Sequence, residues 1–271
     1  MTYIIALAGK GGTGKTTFAS LIIRYLKDKG KTPILAVDAD ANANLHEALG
    51  LEIGETVGHL REKALESIKD LPVGVTKDQY IEYKIHETLV EGEGFDLITM
   101  GRPEGPGCYC YANHLIRKYS EQIGRGYPYV VMDNEAGLEH LSRRTTNDVD
   151  FLLITSDPTQ RGLRTVKRVL DICDELKLQI KKKGLVLNRV PADLNPAHGE
   201  NNESSSVNHR PQPPENDLKG MIEGLDIEWL GNIPYDPMVE EFDLKGMPLA
   251  GLPKDSLSFK AVERIMDGLG I

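Results

Sequence analysis

Two clusters in this chain combine residue types and spacing that can do chemistry. The first is Gly9-Lys10-Gly11-Gly12-Thr13-Gly14-Lys15-Thr16, which satisfies the pattern G-x-x-x-x-G-K-[ST]. It follows an apolar run and opens a helical pattern. Glycines let backbone N–H groups turn inward around an anion, and the helix N-terminus adds positive potential. Lys15 then reaches the outer phosphates of a nucleotide and Thr16 offers a hydroxyl to Mg²⁺. The second cluster is Cys108-Tyr109-Cys110. In an extended segment residues i and i+2 point to one side, so both sulfurs can approach one ion. Two thiolates are half of a closed tetrahedral site, and a two-fold dimer would bring the other half. The plain alternative is two half-buried cysteines at a loop–helix junction. Carboxylates complete the inventory: Asp38 and Asp40 follow one apolar run, and Asp133 ends another. The C-terminal end of a strand is where α/β sheets bind ligands. An aspartate there, such as Asp133, stands near Mg²⁺ through water.

These groups need a scaffold. Short β-branched runs alternate with longer helical patterns, which predicts βαβ units: an α/β fold with a mostly parallel sheet flanked by helices. The expected strands are Tyr3–Ala8, Pro33–Val37, Phe95–Met100, Tyr129–Met132, Phe151–Thr155, Gly184–Leu187 and Glu228–Ile233. Several are nearly all apolar, as in strands buried on both faces. Helices are expected over Thr16–Lys29, Asn42–Leu49, Ala112–Ile123, Gln160–Leu178 and Ser258–Leu269. In the first of these, Phe18, Leu21, Ile22, Tyr25 and Leu26 recur at helical spacing. Residues 1–271 read as a single domain. The polar stretch Asn195–Asp217, with Val207 its one branched aliphatic, reads as a flexible surface insertion. His198 and His209 within it stand without partner ligands at regular spacing and are expected to be exposed loop histidines.

Composition excludes several classes. With 41 acidic against 32 basic residues the net charge is −9, which argues against non-specific nucleic acid binding. No apolar run approaches the roughly 18 residues that span a bilayer. The opening Met-Thr-Tyr-Ile-Ile-Ala-Leu-Ala lacks a basic n-region and reads as a buried strand, so a cytoplasmic protein is expected. Three cysteines do not describe a disulfide framework, and Cys173 reads as a small buried hydrophobe on a helix.

Lys10 at the head of the loop gives K-G-G-T-G-K-T-T over Lys10–Thr17. This resembles the deviant Walker A loop of the MinD/ParA/nitrogenase-iron-protein ATPases. The resemblance implies that Gly9 through Thr17 hold ATP and that Lys10 crosses a homodimer interface to the partner's phosphates. It also implies catalytic roles for Lys10, Lys15 and Asp40, with Asp40 at the attacking water and Asp38 supporting Mg²⁺. Asp133 falls at the Walker B position. Asn134-Glu135-Ala136-Gly137 follows as switch II, departing from the commoner D-T-P-A-G. Asn188 and Arg189, and Pro234, Tyr235 and Asp236, match positions where the family holds adenine. The segments Asp38–Gly50, Gly105–Asn113 and Asp133–Arg144 further resemble the CooC-type nickel-insertion ATPases. These are accessory proteins of carbon monoxide dehydrogenase, together with the related maturation factor of acetyl-CoA synthase. That likeness implies a metallochaperone with Ni²⁺, or Zn²⁺, on Cys108 and Cys110, and one of those enzymes as client. The acidic charge and the lack of an apolar spanning run give the expectation of no nucleic acid and no membrane as partners. Two other readings stay open: an iron–sulfur electron donor sharing one cluster between subunits, and a positioning ATPase. Against the last, Ser256–Ile271 mixes Lys260 and Arg264 with Glu263 and Asp267 and lacks a basic membrane face.

Overall fold

The computed structural model describes residues 2–59, 74, 76–101, 123, 126–135, 148–191, 219–220 and 222–271. Within them the chain builds one eight-stranded sheet, in the order β3-β4-β2-β5-β1-β6-β7-β8. The strands are β1 (Tyr3–Gly9), β2 (Ile34–Ala39), β3 (Val90–Glu91), β4 (Phe95–Thr99), β5 (Tyr129–Asn134), β6 (Asp148–Ser156), β7 (Gln179–Val190) and β8 (Glu228–Pro234). Every pairing is parallel except that of β3 with β4. The connections diverge at β1, since β2 lies to one side of it and β6 to the other. Such a switch point opens a crevice beyond the strand ends.

Helices cover both faces, which is why the central strands are apolar through their middle stretches, with Asp38, Asp133 and Thr155 near the C-terminal ends of β2, β5 and β6. The helices are α1 (Lys15–Asp28), α2 (Leu45–Leu49), α3 (Lys77–His86), α4 (Gln160–Glu175), α5 (Pro237–Leu244) and α6 (Leu257–Gly268). Phe18, Ile22 and Leu26 of α1 pack with Leu45 of α2 and Phe259 and Val262 of α6 over one face. Leu163, Val166 and Leu170 of α4 and Ile85 of α3 pack over the other. Local chemistry starts these helices where they start. Thr76 and Gln79 form a reciprocal capping box on α3. Thr159, Asp236 and Ser256 cap α4, α5 and α6 through side-chain oxygens.

All seven expected strands are present. The differences lie at the edges. The helix expected from Asn42 begins at Leu45, because Asp40 accepts the Asn42 N–H at 2.8 Å and Ala43 takes a left-handed φ of 53°. Asp38 then receives the Leu45 N–H at 2.9 Å, starting the helix there. The helix expected to run to Leu178 stops at Glu175, since Lys177 turns left-handed with φ 51°. The short β3 and the helices α3 and α5 were not expected. In α5 no residue is fully buried, and its stripe is only Met238, Val239 and Phe242, partly buried against the core over eight residues. The start of β7 was missed because Lys181 and Lys182 are exposed. Cys173 is buried, and its surroundings push the thiol up to about 11. The expected helix Ala112–Ile123, except Ile123, lies outside the described residues. So do the 195–217 segment with His198 and His209, Gly137, and both Cys108 and Cys110.

The two halves of the α1–α6 contact fix the rear of the molecule. Phe259 is fully buried beneath the Arg24 guanidinium, 4.0 Å from ring centroid to charge. Phe259→Ala is expected to cost about 3–5 kcal/mol in denaturant-induced unfolding, the usual penalty for emptying an aromatic core site.

Candidate functional site

The loop 9–14 leaves β1 and enters α1 through glycines that other residues cannot replace. At Gly9, with φ 146°, an added Cβ would lie 2.3 Å from the carbonyl oxygen of Thr155 on β6. At Gly14, with φ 84°, it would lie 2.1 Å from the Asn188 amide nitrogen. The loop is braced from beneath by neighbouring strands. Thr13 Oγ1 donates to the Lys10 carbonyl oxygen at 2.7 Å and meets Thr155 Oγ1 at 3.0 Å. Asn188 Nδ2 donates to the Thr13 carbonyl oxygen at 2.8 Å. Gly14 supplies no side-chain cap to α1 and its first turn carries no acidic residue, so the helix does not satisfy its own N-terminus with a carboxylate. That leaves an anion site of the expected kind.

Lys15 is 7% exposed and donates to the Lys10 carbonyl oxygen at 3.4 Å. Burial pushes its ammonium below the usual lysine range, while the charges of Asp133, Asp40 and Glu135 act against that shift. Asp133 ends β5, and its Oδ2 accepts the Thr16 hydroxyl at 2.6 Å. Burial raises this carboxyl to about 6, opposed by the Thr16 hydrogen bond and by Lys15. Its Oδ1 is buried with no hydrogen-bond partner among the described residues. A hydroxyl beside an aspartate with a spare, desolvated oxygen is the donor set that suits Mg²⁺. Thr16 would hold the ion directly and Asp133 through its hydration shell, and the ion would neutralise charge on the outer phosphates.

Asp38 is fully buried beside Asp133 in the β2–β5 register. Its Oδ1 accepts the Asp40 N–H at 3.1 Å and its Oδ2 the Leu45 N–H at 2.9 Å. Burial raises it to about 7, with those two N–H groups opposing. Both oxygens are therefore committed to shaping the 40–45 turn. Asp40 is half-buried at the mouth, where Oδ1 accepts the Asn42 N–H and side-chain amide. The Lys10 side chain is exposed and forms no ion pair among the described residues.

A cleft beside the loop is lined by Gly14, Thr17, Phe18, Asn188, Arg189 and Tyr235, among others. It brings together all the residues matched to adenine, but not all with free polar groups. The β7–β8 pairing slips between Leu187 and Val190, and Arg189 sits at φ 55° with its N–H donated to Asn188 Oδ1 at 2.8 Å. A left-handed conformation in a residue other than glycine is a cost that sites of function carry. The slip turns the Asn188 amide under the phosphate loop. Asp236 faces inward: Oδ1 accepts Met238 N–H at 3.0 Å, and Oδ2 accepts Ser256 Oγ at 2.7 Å and Ser258 N–H at 2.8 Å. It ties the starts of α5 and α6 together as the wall of the cleft. Sequence reasoning did not single out Thr155, Ser256 or Ser258. Only the placement of Thr155 at the end of an apolar strand signalled a role near the crevice.

Residues 4–249 match the family model described as the CobQ/CobB/MinD/ParA nucleotide binding domain. The chain is 41% identical to an uncharacterized ATP-binding protein of Methanocaldococcus jannaschii over 266 residues, covering 97% of both chains. It is 28% identical to the carbon monoxide dehydrogenase accessory protein CooC of Rhodospirillum rubrum, covering 90% of this chain and 88% of that one. Among solved structures, the septum site-determining protein MinD of Pyrococcus horikoshii complexed with Mg-ADP superposes with a TM-score of 0.65. It is 18% identical and covers 99% of this chain and 96% of that one.

The raised carboxyls have a consequence for stability. Between the unfolded value of about 4 and the folded values of about 6 and about 7, the folded chain holds protons that the unfolded chain releases. The two groups therefore add stability that is complete at the acid end of this window and lost as pH rises through it. Asp38→Asn is expected to flatten the fall in melting temperature of the nucleotide-free protein between about pH 5 and about pH 8. Thermal scans of parent and variant across that range check it.

Proposed function

This chain belongs to the CobQ/CobB/MinD/ParA nucleotide-binding family and is an ATPase, and on that premise we propose that it is a dimerising nickel metallochaperone. In this reading Cys108 and Cys110 of two chains hold one Ni²⁺ or Zn²⁺ as cargo for carbon monoxide dehydrogenase or acetyl-CoA synthase. The observation that carries it is the similarity to CooC, which runs through nine-tenths of the chain. The Cys-Tyr-Cys sequence supports it, because two thiolates so close along the chain can supply half of a closed soft-metal site. Thiolates do not by themselves choose nickel over zinc, since preference follows geometry and availability. The exposed Lys10 supports the dimer: a loop lysine that leaves its own phosphate site is placed to reach a second one. ATP would then draw two chains together and alter the distance between their cysteine pairs.

A second reading, a positioning ATPase, is favoured by a specific surface. Arg161, Arg164, Lys167 and Arg168 are exposed along α4 and make no ion pair among the described residues. Arg161 lies in the first turn, at the positive end of the helix dipole, where a cation does not help the helix. The chain is also 24% identical to the septum site-determining protein MinD of Bacillus subtilis, covering 96% of this chain and 87% of that one. No helix among the described residues is long and apolar enough to cross a membrane, which leaves surface binding as the form to test.

Equilibrium titration of the anaerobic protein with Ni²⁺ is expected to give one tight site per dimer. Cys108→Ser with Cys110→Ser should abolish it while ATP still binds. Equal affinity in parent and double variant would remove the cysteine pair, and nucleotide-dependent sedimentation with anionic vesicles or DNA would move the assignment to the positioning class. Lys10→Ala is expected to lose the ATP-dependent increase in mass measured by light scattering. An unchanged response with hydrolysis intact would make Lys10 a surface charge.

A further inference from the structure

Helix α4 buries Leu163, Val166, Val169, Leu170 and Cys173 against the sheet and turns a charged seam outward. Arg161, Arg164, Arg168, Asp171 and Glu175 follow one another at alternating spacings of three and four residues. On an α-helix that spacing keeps them in one line along the surface. All five are exposed. Arginines make up the N-terminal part of the line and carboxylates the C-terminal part. Lys167 flanks the basic part and Asp174 the acidic part, so the division by sign extends across the whole face.

This order works against the helix that carries it. Arg161 stands in the first turn and Glu175 in the last, each at the end of the dipole that disfavours its charge. Arg164 and Arg168 are like charges four residues apart, as are Asp171 and Glu175, and such pairs repel along a helix. None of the five forms an ion pair among the described residues, and Arg164 donates only to the Gln160 side chain at 3.4 Å. Asp174 beside them is paired, with Lys183 at 2.9 Å. A uniformly charged polyanion, whether a nucleic acid or an anionic membrane, answers only the basic part of the line and is repelled by the rest. The face that answers all of it is acidic where this one is basic and basic where this one is acidic. A second copy of α4 laid antiparallel meets that condition. With the two-fold axis passing between Arg168 and Asp171, Arg164 lies opposite the second copy's Glu175 and Arg168 opposite its Asp171. Symmetry then repeats both pairs the other way round.

We propose that the outer face of α4 is a self-association surface, on which two chains pair antiparallel through Arg164 with Glu175 and Arg168 with Asp171. The contact runs along the flank of the molecule. β6 and β7 are parallel, so α4 between them returns from the sheet end that braces the phosphate loop toward the opposite end. The surface is therefore separate from the loop that carries Lys10, and it needs neither nucleotide nor metal. Exposed ion pairs are weak singly, so the association is reversible and gives way to salt.

Sedimentation velocity of the whole chain tests it, with thiols reduced, nucleotide absent and metal removed by a chelator. The parent is expected to self-associate in about 25 mM NaCl, with an association constant at least about tenfold smaller in about 300 mM. Arg164→Glu with Arg168→Glu makes the four pairing positions all acidic, and Asp171→Arg with Glu175→Arg makes them all basic. Each double variant should lose association at least about tenfold, and an equimolar mixture of the two should recover it as a heterodimer. All four changes together exchange the signs, keep the net charge at −9, and should restore association to within about threefold of the parent. A parent that stays monomeric at low salt up to about 1 mM overturns the proposal. So does a fourfold variant no better than the doubles, or a double variant that associates like the parent. Sedimentation of a monomeric parent with anionic vesicles or DNA, abolished by Arg164→Glu with Arg168→Glu, would give the basic part to a polyanion and overturn it too. None of these failures bears on the cysteine pair or on Lys10, which are tested with metal and with nucleotide.

Discussion

Taking the Lys15 ammonium out of water at the end of a sheet constrains nearly everything around it. A lysine that is 7% exposed needs opposing charge, and Asp133, Asp40 and Glu135 provide it from the ends of two neighbouring strands. The same burial acts on the aspartates in the opposite sense and raises Asp133 to about 6 and Asp38 to about 7. A site with one buried cation and several desolvated carboxylates is out of electrostatic balance by itself. Mg²⁺ with a nucleotide would correct it from both sides, the ion answering Asp133 and the phosphates answering Lys15 and the helix N-terminus. Affinity for Mg²⁺-nucleotide is thus stored in the mismatch of the protein's own charges.

How much of this was legible depended on whether the cause was local. The phosphate loop was, because its glycines, Lys15 and Thr16 act within eight residues of one another. The sheet was, because central parallel strands carry unbroken apolar runs, such as Ile4–Ala8 of β1 and Ile34–Val37 of β2. The start of α2 was not: Asn42 looks like the entry to a helix, but Asp38 and Asp40 compete for the same N–H groups and delay it to Leu45. Helix α5 is short, and its stripe of Met238, Val239 and Phe242 is too brief to stand out from a loop. The roles of Asn188 and Asp236 were illegible for a different reason. Both residues were identified, but as contacts to a base. Only the slip in β7–β8 pairing and the bonds from Ser256 and Ser258 show that they hold protein to protein. The pairing of Asp38 with Asp133 required the β2–β5 register, which the 94 residues between them conceal.

The rear and the front of the site are built to different standards. Behind the loop, α1 is locked: the Tyr25 hydroxyl shares its one proton between Asp267 Oδ1 at 2.7 Å and the Ile271 carbonyl oxygen at 2.9 Å, and Arg24 bonds the Leu252 carbonyl oxygen over Phe259. Tyr25 and Phe259 are among the largest fully buried side chains, and interiors packed in this way transmit displacement rather than absorb it. In front, Lys10 is exposed, Asp40 and Glu135 are half-buried, and the 40–45 turn rests on single N–H bonds to Asp38. Those bonds depend on the charge of Asp38, which changes with anything that alters its neighbour Asp133. Mg²⁺ held beside Asp133 would stand next to Asp38 in the β2–β5 register, and Asp38 holds the turn that carries Asp40, so the yielding part of the site lies across the sheet and not along the braced helix.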